Sequence, residues 1–313
     1  MADPAPLYNE LAEAPEFGRA FWIKSGRRRL RAAVWEGGGR GHVVIFGGRS
    51  EYIEKWGRVV SQLVQRGFSV ATLDWRGQGL SDRALGNQMK GHVSDFAAYQ
   101  RDVEAFLKAP EVAALAGPQV LFCHSMGGCI GMRALLDERI APAATVMTAP
   151  MLGIEFTPLA RCFIDVMIML ARRFGFESSF IPAPKAGLPY VSHQAFEGNV
   201  LTGDAEHYAW FAKHLEAEPG FALGSPTLGW MAAALDESAA LSQAPAPDGP
   251  MLMLLGEDES VVSPARIRAF VARNPACRLV ELVGGRHEVF LETAEIRRIL
   301  WAEIDSFLTG NHI

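Results

Sequence analysis

The sequence predicts an α/β fold, a mostly parallel sheet flanked by helices, with a helical segment inserted into it. Short apolar runs alternate along the chain with segments whose apolar residues recur at helical spacing. Strands that alternate with helices usually pair in parallel and are covered on both faces. The alternation stops at residue 150 and resumes near residue 242. We therefore expect a sheet core formed by residues 1–149 and 242–313, and a helical cap, or lid, formed by residues 150–241.

The first half of the chain supplies most of the predicted sheet. Residues 21–35 form two strands around a Ser25-Gly26 turn. Further strands are expected at 42–46, 68–73, 120–123 and 144–148, and helices at 53–64, 96–107 and 126–138. The inserted segment has helical patterns at 159–174, 205–216 and 227–240, separated by an irregular Pro/Gly stretch at 180–190. The last predicted elements are a strand at 250–255, a helix at 264–273, a strand at 278–282 and a final helix through 291–308.

Composition and charge exclude several classes of protein. Among the 313 residues, 49% are hydrophobic and 21% are charged, which excludes a disordered or fibrous chain. A net charge of −5 argues against a general nucleic-acid binder. We expect no membrane-spanning helix, because no apolar run reaches about 18 residues, and no signal peptide, because the N-terminus is acidic and rich in proline. The four cysteines lack metal-site spacing, so we expect reduced thiols and no metal. We also expect no cofactor and a cytoplasmic location.

A candidate nucleophile lies at the junction of a predicted strand and a predicted helix. Ser125 is the centre of a G-x-S-x-G pattern in which Cys123 replaces the first glycine and Gly127 is the second. Such a sharp turn exposes the serine hydroxyl at a helix N-terminus, where backbone N–H groups point outward. Serine is also a common N-cap residue, so the motif needs supporting residues elsewhere in the chain.

A serine nucleophile needs a base, an acid and an oxyanion hole. His287 follows a predicted strand and a pair of glycines, and Asp258 and Glu259 follow the strand before it. This is the chain order serine, acid, histidine that strand–turn–helix nucleophiles use. The loop after the strand at 42–46 and the residue after the serine supply the two oxyanion donors in such sites, which nominates the backbone amides of Arg49 and Met126.

The motifs together resemble those of the α/β-hydrolase family, in particular the serine hydrolases of the lysophospholipase L2 and monoacylglycerol lipase type. The matching stretches are GGRSEYIEKW (47–56), DWRGQGLSDR (74–83), GHVSDFAAYQRDVEAFL (91–107), CHSMGG (123–128), GEDESVVSP (256–264) and GRHEVFLE (285–292). Within the insertion, NVLTGDAEHYA (199–209) and LGSPTLGW (223–230) are similar to the cap of the lysophospholipase L2 group. The chain departs from the family at Cys123 and at Gly47, where many members have histidine.

The resemblance implies which carboxylate is the acid. In the family, the acid comes three residues after a strand-end glycine and precedes a short apolar pair and often a proline. Counting from Gly256 places Glu259 there, followed by Val261, Val262 and Pro264. Asp258 is the alternative acid, since aspartate is the commoner residue in this role. Glutamate is also used, so the register favours Glu259.

The expected function is hydrolysis of an acyl ester of a single-chain lipid, a lysophospholipid or a monoacylglycerol, through an acyl-enzyme. Apolar residues crowd the start of the cap, and we expect Phe156, Leu159 and Phe163 to bind the acyl chain. Contact with membranes is expected to be transient, and no nucleic acid is expected as a partner. The alternatives are a small-ester esterase, a proline-type aminopeptidase and a ligand receptor without turnover. An aminopeptidase would need cap acids to bind the substrate amine, and the cap offers Glu177, Glu197 and Glu206.

Overall fold

The computed structural model describes residues 3–313 and contains one nine-stranded sheet. The strands are β1 (Asp3–Pro4), β2 (Arg19–Ser25), β3 (Arg28–Trp35), β4 (Gly41–Phe46), β5 (Phe68–Leu73), β6 (Gln119–His124), β7 (Ala144–Thr148), β8 (Met251–Gly256) and β9 (Cys277–Leu282). Their order across the sheet is β1-β2-β3-β5-β4-β6-β7-β8-β9. The pairs from β1 to β5 are antiparallel, and every pair from β5 to β9 is parallel. The prediction of a mostly parallel sheet is confirmed.

Helices cover both faces of this sheet. They are α1 (Asn9–Ala12), α2 (Gly57–Gln65), α3 (Ala97–Leu107), α4 (Pro110–Ala113), α5 (Met126–Leu136), α6 (Pro158–Phe174), α7 (Tyr190–His193), α8 (Ala205–Ala217), α9 (Leu228–Gln243), α10 (Pro264–Ala272) and α11 (Ala294–Gly310). Three-residue to four-residue 3₁₀ turns occupy Ile53–Trp56, Pro219–Phe221 and Val289–Leu291.

The parallel strands are apolar on both faces, which is why they read as continuous apolar runs in the sequence. Along β4, Val44 and Phe46 join the cluster under α3, α5 and α9, whereas Val43 and Ile45 join the cluster under α2 and α11. All four side chains are fully buried. Two layers of packing therefore hold the carboxyl ends of the parallel strands at one rigid edge, where sites of such sheets form.

The segment between β7 and β8 contains α6, α7, α8 and α9 and none of the nine strands. Polar N-caps start its three longer helices, because the side chains of Thr157, Asp204 and Thr227 accept hydrogen bonds from first-turn N–H groups. Helix α9 runs past the predicted boundary at residue 241 and packs on α5 through an ion pair of Glu237 with Arg133 (2.6 Å). The division of the chain into core and cap stays a prediction.

Helix α6 is apolar on two opposite sides. Ile164, Ile168 and Ala171 are its buried residues. Its opposite side carries large apolar side chains that face solvent, namely Leu159, Phe163, Val166, Met169 and Phe174. Within residues 3–313, no helix is long and apolar enough to cross a membrane.

Candidate active site

Ser125 occupies a strained turn between β6 and α5. Its backbone has φ 50° and ψ −117°, a left-handed conformation that is unfavourable for a residue with a side chain. The turn is sharp because the helix packs directly on the neighbouring strand: a Cβ at Gly127 would lie 1.9 Å from the carbonyl oxygen of Phe46. Only glycine fits at position 127 without backbone movement. The strain projects the Ser125 side chain at the start of α5, as expected for a nucleophile elbow.

Cys123, where the family pattern has glycine, is accommodated by a second glycine on α5. A Cβ at Gly131 would lie 2.4 Å from the Cys123 Sγ atom, so the absent side chain of Gly131 leaves the space that the sulfur fills. Burial raises the pKa of Cys123 well above the ordinary thiol value. The Cys123 side chain is therefore an uncharged packing group at neutral pH and not a second nucleophile.

The loops after β8 and β9 bring Glu259 to His287. The Nδ1 atom of His287 lies 2.7 Å from Glu259 Oε2, and the other carboxylate oxygen accepts hydrogen bonds from the N–H groups of Val261 (2.6 Å) and Val262 (3.1 Å). Burial by itself raises the pKa of Glu259, but the imidazole of His287 and the two N–H donors outweigh it and lower that pKa below its ordinary value. Asp258 is exposed and belongs to no hydrogen bond of this pair.

The glycines in the loops after β8 and β9 are required where the two loops meet. A Cβ at Gly256 would lie 2.2 Å from the carbonyl oxygen of Gly285, so the two loops touch through backbone atoms. This close approach sets Glu259 beside His287. His287 and Ser125 line the same cavity at the carboxyl edge of the sheet.

The loop after β4 lies against the nucleophile. A Cβ at Gly48 would be 3.2 Å from the Cβ of Ser125. Two side chains of the DWRGQGLSDR stretch fix this loop: Trp75 Nε1 donates to the carbonyl of Gly47 (2.9 Å) and Gln78 Nε2 donates to that of Gly48 (2.7 Å). Within residues 3–313, the N–H groups of Arg49 and Met126 donate to no other loop or cap residue. Both amides are therefore available to a substrate oxygen.

A buried charge network lies beside the candidate triad, and sequence reasoning missed it. Lys55 Nζ contacts the carboxylates of Glu51 (2.7 Å) and Glu288 (2.6 Å), and the second oxygen of Glu288 is 3.5 Å from His124 Nε2. Burial lowers the pKa of His124, but the carboxylates of Glu288 and Glu51 outweigh it and raise that pKa above its ordinary value. The rings of His124 and His287 are 4.8 Å apart, centroid to centroid.

This network joins the three parts of the site. Glu51 accepts a hydrogen bond from the N–H of Gly48 in the oxyanion loop, His124 precedes Ser125, and Glu288 follows His287. Candidate ligand atoms of Glu51, His124 and Glu288 lie within 4.8 Å of one another, an arrangement that can hold a metal ion. Lys55 already supplies a cation to both carboxylates, so the expectation of a metal-free site stays a prediction. The signal in the sequence was weak, because each residue is adjacent to a motif rather than within one.

A cavity of about 270 Å³ opens above Ser125 and His287. Its walls are mostly apolar side chains from the inserted segment, including Tyr190, Val191, Leu201, Phe211, Leu215, Phe221, Leu223, Trp230 and Met231. Met151 and Ile154, at the start of the inserted segment, line the cavity as well.

None of the three residues predicted to bind the acyl chain, Phe156, Leu159 and Phe163, lines this cavity. Leu159 is 83% exposed and Phe163 is 50% exposed, both on the solvent side of α6. Phe156 is half-buried and packs against the core. The helix turns Ile164 and Ile168 inward instead, and an apolar pattern on two sides of a helix does not indicate which side is buried.

Comparison with known proteins places the chain in a family. The sequence profile of the family described as serine aminopeptidase, S33, matches residues 38–294. A probable lysophospholipase L2 of Haemophilus influenzae is 26% identical over 290 residues, covering 91% of this chain and 90% of the relative. Lysophospholipase L2 of Escherichia coli K12 is 28% identical over 282 residues, covering 86% and 81%.

Comparison of the fold with solved structures agrees with the sequence comparison. A soluble variant of monoglyceride lipase from Saccharomyces cerevisiae superposes with a TM-score of 0.75 and 18% identity, covering 98% of this chain and 100% of that one. The expectation from the sequence motifs is thereby confirmed at the level of fold and family. The chain belongs to the serine aminopeptidase, S33, family and is a serine hydrolase with the α/β-hydrolase fold.

Proposed function

We propose that the protein hydrolyses the acyl ester of a single-chain lipid, a lysophospholipid or a monoacylglycerol, through an acyl-enzyme. The observation that carries this proposal is the hydrogen bond of Glu259 with His287, which lines the same apolar cavity as Ser125. The names of the two lysophospholipase relatives and of the monoglyceride lipase support the lipid ester as substrate.

The mechanism follows from the roles that these groups can take. Ser125 Oγ attacks the ester carbonyl while His287 Nε2 accepts its proton, and the negative charge of Glu259 stabilises the imidazolium. The amides of Arg49 and Met126 hold the oxyanion of the tetrahedral intermediate. His287 then gives the proton to the leaving alcohol, and the acyl group remains on Ser125. Water, deprotonated by the same histidine, releases the fatty acid and restores the serine.

The charges of the cavity argue against an aminopeptidase, despite the family description. A free amine would need an unpaired carboxylate, and Glu288, a carboxylate in the lining, is already bonded to Lys55. The three cap acids considered from the sequence lie outside the lining: Glu177 is half-buried, and Glu197 and Glu206 are exposed. A small-ester esterase remains the alternative within the same chemistry, and acyl-chain length distinguishes the two.

The expected transient contact with membrane surfaces is part of this proposal. It is supported by the solvent-facing apolar side of α6, on which Leu159 and Phe163 are prominent. Exposed apolar surface of this kind favours lipid or protein contact. A cytoplasmic location is proposed on the sequence alone.

The proposal is tested by covalent labelling and turnover together. We expect a fluorophosphonate to modify Ser125 alone, and Ser125→Ala to lose both labelling and on the order of 10⁴-fold in kcat. Ser94→Ala, at an exposed serine outside the cavity lining, is the matched control and should keep both. Retained hydrolysis in Ser125→Ala contradicts the mechanism. Labelling without hydrolysis of any ester in the wild type favours a ligand receptor.

A further inference from the structure

Arg49 carries a positive charge that no carboxylate of the described chain neutralises. Its Nη2 donates to the carbonyl of Gly224 (2.9 Å), its Nη1 donates to Ser50 Oγ (3.2 Å), and its guanidinium lies 5.1 Å from the centre of the Trp230 ring. Its Nε is buried without a hydrogen-bond partner among residues 3–313. All of these partners are neutral.

Two cations that are more deeply buried than Arg49 are paired with carboxylates. Arg31 contacts Glu54 (2.7 Å) and Asp74 (2.8 Å), and Lys55 contacts Glu51 and Glu288. Burial of an ion without a counterion is costly, so such groups are normally paired or bind something. Arg83 also has no carboxylate partner among the described residues and donates to the carbonyl of Gly220 (3.0 Å), but of these two arginines only Arg49 lines the cavity of Ser125.

The charge persists at neutral pH. Burial lowers the pKa of Arg49 to about 10, and only the neighbouring phenol of Tyr99 opposes this effect. A group with that pKa remains protonated throughout the physiological range. Arg49 thus brings a charged guanidinium to the cavity lining, and each of its two terminal nitrogens has one N–H besides the one that it donates to Ser50 or Gly224.

The position of Arg49 relates this charge to the reacting ester. Arg49 lines the same cavity as Ser125, and its own backbone amide is one of the two proposed oxyanion donors. In a single-chain glycerophospholipid, the glycerol that joins the ester to the phosphate is about as long as the side chain that joins an arginine backbone to its guanidinium. A substrate whose carbonyl oxygen meets the Arg49 amide can therefore extend its phosphate towards the Arg49 guanidinium.

We propose that the Arg49 side chain is the anion-recognising group of the cavity, which binds the substrate phosphate and sets a preference for phosphate-bearing over neutral single-chain glycerolipids. The planar guanidinium suits phosphate, since its N–H donors match phosphate oxygens in pairs. This assignment rests on the proposed function, because it presumes that the ester is cleaved at Ser125. It adds a residue and a reason for discrimination between the two candidate substrates.

The test compares two substrates with the same acyl chain, oleoyl lysophosphatidylglycerol and monooleoylglycerol, in the same neutral detergent micelles. Arg49→Met should lower kcat/KM on the phosphate-bearing lipid about 10- to 100-fold more than on the neutral lipid, the range typical of a hydrogen bond to a charged group. Arg49→Lys keeps the charge but loses the fork, so its ratio should be intermediate. The control Arg268→Met removes an exposed arginine paired with Glu281 and should leave the ratio of the wild type.

A binding measurement separates recognition from turnover. Decyl phosphate should inhibit the wild type more strongly than decanol does, and Arg49→Met should remove that difference. Equal losses on both lipids, with unchanged inhibition by decyl phosphate, would assign Arg49 to bracing the loop against Gly224 and overturn the proposal. If wild-type protein hydrolyses neither lipid, the proposed function fails; if it hydrolyses both and Arg49→Met leaves their ratio unchanged, only the role of Arg49 fails.

Discussion

The two adjacent carboxylates after β8 have opposite surroundings. Glu259 is buried, bonded to His287 and to two backbone N–H groups, whereas Asp258 faces solvent. The lowered pKa of Glu259 keeps it ionised at any pH above its ordinary value of 4.5. Its contribution to stability is therefore present above that pH and is lost as the pH falls through the lowered pKa.

The roles of the two acids are separable by isosteric substitution. Glu259→Gln should cost about 10⁴ in kcat, because the amide no longer stabilises the imidazolium of His287. Asp258→Asn is the matched control and should stay within roughly tenfold of the wild type, since an exposed carboxylate acts on the site only through screened charge. Steady-state kinetics on a p-nitrophenyl ester measures both. If Asp258→Asn is the inactive variant and Glu259→Gln the active one, the roles are reversed.

The residues that sequence reasoning could locate are those with a motif and a fixed chain order. Ser125 and His287 are of this kind. The count from Gly256 favoured Glu259 over Asp258, and in the structure Glu259 is the carboxylate that contacts His287. The way Cys123 is accommodated could not be predicted, because the space for its sulfur comes from Gly131 on the next element. The charge of Arg49 was equally hidden: its lack of an acidic partner is a property of three-dimensional packing.

At the scale of elements, the buried network connects the 3₁₀ turn at Ile53–Trp56 to the ends of β6 and β9. Lys55 is its central cation, and it contacts two buried carboxylates. Burial lowers the pKa of Lys55, but these carboxylates outweigh it and raise that pKa above its ordinary value, so the charge is stable in the folded state. Through Lys55, the turn thereby fixes the loop after β4, which contains Glu51, and the loop after β9, which contains Glu288.

Removal of this cation should destabilise the fold strongly. Lys55→Met leaves the buried carboxylates of Glu51 and Glu288 without their main counterion, and we expect the free energy of unfolding to fall by about 3–5 kcal/mol. Lys108→Met is the control, because Lys108 makes an exposed pair with Glu104, and such solvent-screened pairs contribute little to stability. Urea unfolding followed by circular dichroism gives both values. Equal stability of the two variants would mean that the network contributes little.

Most elements were predictable because their apolar residues follow the period of a strand or a helix. Strands β5 and β7 and helices α3 and α6 occur where the pattern placed them. Strand β1 has only two residues, too few for any periodicity. The sequence pattern did not indicate which side of α6 is buried, since the helix has apolar residues on both sides.

At the scale of the whole molecule, the cavity lies between the carboxyl edge of the sheet and the inserted helices. Phe211, Leu215 and Trp230 of the insertion and Val261 of the sheet domain line it together. The prediction that this segment is a lid over the sheet edge follows from the interruption in the alternation of strands and helices along the sequence. The residues that line the cavity could not be predicted in this way, because they depend on how four helices pack.

Substrate affinity should depend on the length of the acyl chain. Each CH₂ group buried among these apolar walls contributes up to about 0.8 kcal/mol, so KM should fall from acetate to decanoate p-nitrophenyl esters until the cavity is full. Leu159→Ser, on the solvent side of α6, should leave this series unchanged below micelle formation. A KM that is flat over the series would contradict an acyl-binding cavity and favour a small-ester esterase.

Cys162 gives the molecule a built-in attachment point. It lies on α6 and is the one exposed thiol among the four cysteines, since Cys123, Cys129 and Cys277 are buried. A thiol-reactive fluorophore should therefore attach at a single position of the unaltered chain, next to the solvent-facing apolar side of that helix. The emission of such a dye reports the polarity around α6 directly. Titration with vesicles would then follow the helix itself, without any engineered residue, as it meets or avoids a lipid surface.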